Sequence, residues 1–256
     1  NNEEINKIFS EEKGNPFNPD KFSVLFKSLL LRYRQKGYSL AKIDSTSFDK
    51  ETGKLSFTIK EGTIKKISFL GNDHIAGYVL RREFPLKPAD VFQMNAAQKG
   101  VTNISSLGLF EYVLLEIQED EFGDPIVIVR VKEKITDLVR FGISLNNERG
   151  FVSQFDIRST NFRGHGEELG LILNAGLRDR LAQLDYQIFR LFNTYLTSNL
   201  KLYFRFHDIN TYTNAADNSQ KHWERNKLGE YRLIRYGGTL GFGTQLERLG
   251  NILFEF

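Results

Sequence analysis

Residues 136–146 read TDLVRFGISLN, and they mark the point at which the hydrophobic period of this chain changes. Within this stretch every second residue is large and apolar, namely Val139, Phe141, Ile143 and Leu145, and these alternate with Arg140, Gly142, Ser144 and Asn146. Strict alternation predicts a strand with one apolar and one polar face. Before this stretch, helix-period segments are interleaved with strands. After it, one alternating strand follows another.

The alternation recurs in six further segments after residue 146. Their apolar positions are Phe155 and Ile157; Leu169, Leu171, Leu173, Ala175 and Leu177; Leu184, Tyr186 and Ile188; Leu200, Leu202, Phe204 and Phe206; Ile234, Tyr236, Leu240 and Phe242; and Ile252, Phe254 and Phe256. A strand with lipid on one face and water on the other has this pattern. We therefore interpret residues 136–256 as seven antiparallel strands of a transmembrane β-barrel.

The connections between these strands differ in length. Asn161–Glu167 and Glu247–Asn251 are short, as periplasmic turns are, whereas His207–Leu228 is long and polar and predicts an extracellular loop. Because a single-chain bacterial barrel has an even number of strands, eight or more, we expect further strands beyond Phe256 or a partner that supplies them. A soluble β-sandwich, which buries its apolar faces against each other, is the alternative. Aromatic residues at strand ends (Phe189, Phe192 and Tyr195) favour the membrane.

The first half of the chain contains a repeat. Asn18 and Pro19 predict the start of a helix that ends at Gly37, and strands are predicted over Leu40–Phe48 and Lys54–Lys60. The second unit is predicted as a strand over Ile64–Leu70, helices over Ile75–Phe84 and Val91–Leu107, and strands over Phe110–Gln118 and Ile126–Glu133. Three pairs of residues lie 70 to 72 positions apart: Gly37 and Gly108, Gly53 and Gly123, Glu61 and Glu133.

A constant offset of this kind indicates tandem domains. We expect a first α+β domain over residues 1–62, with Asn1–Glu12 as its first helix and its opening strand missing, and a complete domain over residues 63–135. The chain would then begin inside a domain. Two unrelated α+β hairpins are the alternative. The polar Asn1–Glu4 start does not resemble a signal peptide, so a processed or partial chain is expected.

Composition excludes several classes of site. The 256 residues include no cysteine, which excludes disulfides and thiolate metal sites, and the 35 Lys and Arg nearly balance the 32 Asp and Glu, so charge gives no reason to expect a nucleic-acid partner. The four histidines are too far apart for a metal motif. Gly164-His165-Gly166 is not followed by the helix that a dinucleotide loop requires. We expect no catalytic residue, no metal and no cofactor in these residues.

Two motifs resemble known families. The tandem units, one joining FTIKEG (residues 57–62) to IKKISFLGN (residues 64–72), resemble polypeptide-transport-associated (POTRA) domains. The turn NFRGHGEELGL (residues 161–171) resembles the matching turn of the BamA-type outer-membrane insertase family. The resemblance implies periplasmic POTRA domains of β-α-α-β-β order, followed by the first seven strands of a sixteen-stranded barrel in the bacterial outer membrane. It also implies an Arg-Gly-Phe loop late in the barrel. Arg149-Gly150-Phe151 is too early, and we interpret it as a coincidence.

The resemblance implies a protein that assembles outer-membrane proteins, with the lipid bilayer, unfolded client proteins and accessory lipoproteins as partners. Clients would pair with the edge of the strand Phe110–Gln118, through Phe110, Val113, Leu115 and Ile117, and with a barrel seam formed by Val139, Phe141, Gly142, Ile143 and Leu145. Gly142 weakens its strand, which fits a seam that opens, although relief of crowding in the lumen explains it equally well. Gly71, Asn72, Gly164 and Gly166 are assigned to structural turns.

Two other functions stay open at this point. One is a secretion pore dedicated to a single passenger, in which an upstream patatin-type lipase domain would make the full-length protein an enzyme. Residues 1–256 themselves are not expected to be enzymatic in either case. The other is an interaction module whose second half is the soluble sandwich.

Overall fold

The computed structural model describes residues 8–10, 14, 18–191, 194–214, 225–246 and 250–255. The chain divides into two compact units. One comprises Asn1–Asp73 and Gly77–Glu133, and the other comprises His74–Ala76 and Lys134–Phe256. No helix among the described residues is long and apolar enough to cross a membrane.

The first part of unit 1 is a helix over a two-stranded sheet. Helix α1 (Pro19–Gln35) begins after Asn18, whose side chain accepts hydrogen bonds from the backbone N–H groups of Asp20 and Lys21, and Gly37 follows it with φ +98°. Strands β1 (Lys42–Asp49) and β2 (Lys54–Lys60) pair antiparallel. An aromatic cluster joins the layers, because the rings of Phe9, Phe26 and Phe57 lie with their centroids 5.3 to 5.7 Å apart. Of the helix predicted over Asn1–Glu12, only residues 8–10 are described, and they are helical.

The second part of unit 1 has the predicted order β-α-α-β-β. Its elements are β3 (Lys66–Leu70), α2 (Gly77–Glu83), α3 (Met94–Ser106), β4 (Phe110–Glu119) and β5 (Pro125–Glu133). The sheet order is β3-β5-β4, with β3 parallel and β4 antiparallel to the central strand β5. The core between the sheet and the two helices contains Val79, Leu80, Phe92, Ala97, Ile104, Val127 and Val129, all fully buried.

The starts of β3 and α3 differ from the prediction because backbone groups find other partners. Strand β3 begins two residues after Ile64, whose N–H donates to Asp90 O at 2.8 Å. Helix α3 begins at Met94 rather than Val91, because Val91 forms a β-bridge with Thr63 and Phe92 N–H donates to Gly62 O at 2.9 Å. These bonds tie the entry to α3 to the segment between β2 and β3.

Unit 2 contains one antiparallel sheet of seven strands, as predicted. Its strands are β6 (Asp137–Asn146), β7 (Gly150–Phe162), β8 (Glu167–Gly176), β9 (Asp179–Ile188), β10 (Leu196–Asn214), β11 (Arg225–Leu246) and β12 (Gly250–Glu255). Each strand pairs with its neighbour in sequence, so the order is β12-β11-β10-β9-β8-β7-β6. The sandwich interpretation is wrong for the described residues of unit 2, because a sandwich requires a second sheet over the apolar face and these residues form only the seven-stranded one.

The long loop predicted over His207–Leu228 is also wrong in its extent. Strand β10 continues to Asn214 and β11 begins at Arg225, while residues 215–224 lie outside the described part of the chain. The hairpin continues past the apolar alternation because polar residues pair across it, for example Asp208 with Arg232. Arg232 donates to both carboxylate oxygens of Asp208, at 2.6 and 3.1 Å. Apolar alternation cannot detect a strand that is stabilised in this way. Predictions for Phe192 and Phe256 fall outside the described residues.

Candidate functional site at two strand edges

Strand β6 forms one end of the sheet in unit 2. Among the described residues it pairs only with β7, and all ten of its residues are exposed. One side of its backbone therefore has no ladder partner in the described chain. An unpaired edge of this kind is a template for another strand. We call it the β6 edge.

The apolar face of the sheet begins on β6 and continues across every strand. Val139, Phe141, Ile143 and Leu145 are 59 to 79 % exposed. In the register of the sheet the same face carries Phe155, Ile157, Leu171, Leu173, Leu202, Phe204, Leu240, Phe242, Ile252 and Phe254, all of which are exposed. An uncovered apolar surface of this extent is unfavourable in water and is the surface that a lipid-facing barrel presents.

The polar face holds β6 to the sheet through a chain of ion pairs. Arg140 on β6 donates from Nε to Asp156 Oδ2 on β7 at 3.1 Å, and Asp156 is 7 % exposed. Arg158 lies 3.5 Å from Asp156 Oδ1, donates to Glu168 on β8 and lies 3.6 Å from Asp185 Oδ2 on β9. The edge strand is thus linked by charge to the third strand beyond it.

Two glycines on the polar face have opposite surroundings. A Cβ at Gly170 would lie 3.1 Å from Arg158 Cζ, so the glycine lets the guanidinium lie across β8 and reach Glu168 and Asp185. A Cβ at Gly142 would meet only Gln154 Cβ, at 3.9 Å, so an alanine fits there. Sequence reasoning considered Gly142 and missed Gly170, whose signal is its place on the polar face between Leu169 and Leu171.

Strand β4 forms the second edge. Because the order is β3-β5-β4, it pairs only with β5 among the described residues, and we call its free side the β4 edge. The residues predicted for this edge, Phe110, Val113, Leu115 and Ile117, are buried or half-buried, and the last three share a face with the buried Val127, Val129 and Val131. Tyr112 and Leu114 on the other face are 44 and 51 % exposed. Sequence reasoning missed this pair because alternation does not reveal which face the helices cover.

Ion pairs flank the exposed residues of β4. Arg130 donates to Glu116 Oε1 at 2.9 Å and to Oε2 at 3.3 Å, and Lys132 lies 2.5 Å from Glu111. The hydrogen bond from Arg130 holds the pKa of Glu116 below its ordinary value, and Glu111 raises the pKa of Lys132. These exposed pairs fix side-chain positions but contribute little stability.

The far end of β4 is anchored to the first part of unit 1. Lys42 on β1 donates to Glu119 Oε2 at 2.7 Å, and Lys60 on β2 donates to Phe122 O at 2.6 Å. Lys65 donates to Asp120. A cavity of about 360 Å³ lies between these groups, lined by residues that include Leu40, Ile59, Ile117 and Pro125. The β4–β5 turn therefore has a fixed position relative to β1 and β2.

The three glycines assigned to turns have positive φ angles. Gly71 has φ +88° and a Cβ there would lie 2.1 Å from Val131 O, while Asn72 follows it. Gly164 and Gly166 have φ +76° and +70° in the β7–β8 turn, where the Asn161 side chain accepts a hydrogen bond from Gly166 N–H at 2.9 Å. Arg149, in the tripeptide that matches the family loop, lies in the β6–β7 turn with Nη1 3.7 Å from Asp179 Oδ2.

The described residues contain no group of three or more His, Cys, Asp or Glu that could hold a metal ion. The chemistry that the two edges offer is backbone hydrogen bonding next to apolar side chains. Such a surface recognises an extended chain rather than a small molecule.

Comparisons with known proteins agree with this geometry. The family model POTRA, described as "Surface antigen variable number repeat", matches residues 1–62 and 63–134. The outer membrane protein assembly factor BamA of Neorickettsia risticii is 24% identical over 183 residues, which are 70% of this chain and 25% of that protein. The chain thus spans a quarter of the length of this curated relative.

Two solved structures resemble this chain in fold. BamA from Haemophilus ducreyi lacking POTRA domains 1-3 matches 97% of this chain and 47% of its own, with a TM-score of 0.61 and 20% identity. CdiB from Escherichia coli matches 100% of this chain and 49% of its own, with a TM-score of 0.53 and 16% identity. The sheet that follows the two matched domains has the fold of the corresponding strands of BamA. Because the POTRA family model covers more than half of the residues, the chain belongs to the POTRA family.

Proposed function

We propose that this chain is the POTRA and early-barrel part of a factor that assembles outer-membrane proteins. It lies in the bacterial outer membrane, with the POTRA domains in the periplasm. We divide it into POTRA domains over residues 1–62 and 63–135 and barrel strands over residues 136–256. The observation that carries the proposal is the apolar face of the seven-stranded sheet, which is exposed on strand after strand beginning with β6.

The proposed mechanism is strand templating in two steps. An unfolded client first adds a strand to the β4 edge, where Tyr112 and Leu114 offer apolar contacts in water. It then pairs with β6, using the backbone of Val139–Leu145. Each hydrogen bond made in lipid satisfies a group that would otherwise cost several kcal/mol. No covalent step is needed, so we assign no catalytic residue and no cofactor.

The bilayer and unfolded barrel proteins are the partners in this proposal. Accessory lipoproteins would dock on the POTRA domains, and no residue is assigned to them. The match to a BamA sequence over 70% of the chain favours assembly of many clients over export of one passenger. An upstream lipase domain stays a prediction.

The test is reconstitution of the full-length protein in phospholipid vesicles with unfolded client barrels. We expect several unrelated clients to fold faster than in empty vesicles, measured by their heat-dependent mobility in gels. Faster insertion of a single dedicated passenger would replace the proposal with the secretion pore. Equal folding rates with and without the protein would contradict both functions.

A further inference from the structure

A groove at one end of the seven-stranded sheet has no role in strand pairing. It lies at the β8–β9 turn, where β7 begins, and has a volume of about 290 Å³. Its lining residues are Phe151, Asn174, Ala175, Gly176, Leu177 and Arg180. Phe151 and Leu177 are 47 and 75 % exposed, so the groove has mostly apolar walls that are open to the surroundings.

Arg180 supplies the charge of this groove. In the sheet register it pairs with Phe206 on β10, which places it on the apolar face at the end of the lipid-facing surface. Its Nε donates to Gly176 O at 3.2 Å. Among the described residues its charge acts on Asp208, but the two side chains form no direct ion pair. The neighbouring cation on this face, Arg232, is held by both oxygens of Asp208. Arg180 therefore offers its two terminal nitrogens to a ligand.

The turn fixes the position of this arginine. A Cβ at Gly176 would lie 2.8 Å from both Asp179 O and Val152 Cγ2, so the backbone closes tightly at this point. The carbonyl that accepts from Arg180 belongs to the same residue. The guanidinium is thus positioned before any ligand binds, which reduces the entropy lost on binding.

We propose that this groove binds an anionic membrane lipid, with a phosphate group of the lipid on Arg180 and the first acyl segment against Phe151, Ala175 and Leu177; phosphatidylglycerol serves as the probe. A guanidinium matches the geometry of phosphate oxygens and forms paired hydrogen bonds with them. The apolar walls continue the lipid-facing surface, so the occupant is a membrane lipid rather than free phosphate. The inference rests on the proposed membrane-spanning role of the sheet.

The experiment places the full-length protein in nanodiscs that contain equal amounts of phosphatidylglycerol and phosphatidylcholine. Native mass spectrometry then counts the lipids that remain bound. We expect preferential retention of phosphatidylglycerol, and Arg180→Gln should weaken it about tenfold, the effect of losing one charge-assisted interaction. Arg235→Gln is the matched control, because this substitution removes the same charge from an exposed residue on the polar face of β11.

A second variant tests the apolar part of the site without removing the charge. Ala175→Phe fills the groove and should lower phosphatidylglycerol retention, while added inorganic phosphate should not compete. Competition by inorganic phosphate, equal retention of the two lipids by the unmodified protein, or equal losses in Arg180→Gln and Arg235→Gln would overturn the inference. Failure of the protein to enter nanodiscs would instead contradict the proposed function, so the two failures are distinguishable.

Discussion

The β6 edge and the β4 edge both belong to strands that have a single ladder partner among the described residues, but they differ in what surrounds them. The β4 edge has helices over one face, ion pairs on the other and an anchored turn at its end. The β6 edge has an uncovered apolar face and a single chain of ion pairs that links it to the sheet. Water satisfies an open backbone group at β4, whereas lipid cannot do so at β6. The same edge geometry should therefore bind weakly in the periplasm and strongly in the membrane.

The largest effect is expected from a change that disrupts the domain of β4 and leaves β6 intact. Gly71→Ala places a Cβ 2.1 Å from Val131 O at φ +88°, and should destabilise that domain by about 3 kcal/mol. Hydrogen exchange of the full-length protein should rise in residues 110–133 and stay unchanged in residues 137–188.

Gly53→Ala is the control for this change. Gly53 also has a positive φ, of +65°, but nothing lies within 4 Å of the added Cβ. The substitution should therefore lower the stability of its domain by only about 1 kcal/mol. Similar exchange in the two variants would show that the contact of Gly71 with β5 does not stabilise the domain.

A change in the ion-pair chain should weaken β6 and leave β4 intact. Asp156→Asn keeps the shape of the side chain but leaves Arg140 without its carboxylate, so we expect a loss of about 2 kcal/mol in the stability of the β6–β7 pair. Hydrogen exchange should rise in residues 137–146.

Glu230→Gln is the control for Asp156→Asn, because it makes the same carboxylate-to-amide change in an ion pair whose partner, Lys227, is an exposed neighbour on the same strand. We expect an effect below about 0.5 kcal/mol. If Asp156→Asn changes exchange no more than Glu230→Gln does, the chain of ion pairs does not hold the edge strand.

The two polar-face glycines should respond in opposite directions. Gly142→Ala has room for its Cβ and should stabilise β6 by about 0.5 kcal/mol, which should also slow client assembly if the seam must open. Gly170→Ala should destabilise the same strand pair by about 1 kcal/mol, because the new Cβ displaces the Arg158 guanidinium. Changes of the same sign in the melting temperature of the barrel would contradict this assignment.

The smallest effect is expected from pH at the anchored end of β4. The hydrogen bond from Lys65 holds the pKa of Asp120 below its ordinary value of 3.8. The resulting stability is therefore present above about pH 4 and is lost as the pH falls through the lower folded-state pKa. The stability difference between the unmodified protein and Asp120→Asn should be constant from pH 5 to 8 and should shrink below pH 4. A difference that grows on acidification would show the opposite sign of linkage.

Sequence patterns predicted most of the fold, because alternation and turn glycines are local signals. The seven barrel strands, the order of the second POTRA domain and the end of α1 just before Gly37 follow from them. The extension of β10 through Asp208 does not, because it depends on a cross-strand ion pair. The exposure of Tyr112 and Leu114, and the role of Gly170 beneath Arg158, depend on packing between elements distant in sequence.

A client strand should bind the β6 edge more tightly than the β4 edge, and the proposed mechanism depends on this difference. Residues 1–256 contain no cysteine. Single-cysteine variants of the full-length protein, Ser144→Cys in β6 and Gln118→Cys in β4, therefore report each edge once any cysteine outside these residues has been replaced by serine. Asn174→Cys on the interior strand β8 is the control.

Disulfide formation with a cysteine in a client strand is measured before and after a urea wash of the membranes. We expect that the crosslink at Ser144→Cys survives the wash, that the one at Gln118→Cys is lost and that none forms at Asn174→Cys. Crosslinks of equal persistence at the two edges, or a stronger one at Gln118→Cys, would contradict the mechanism.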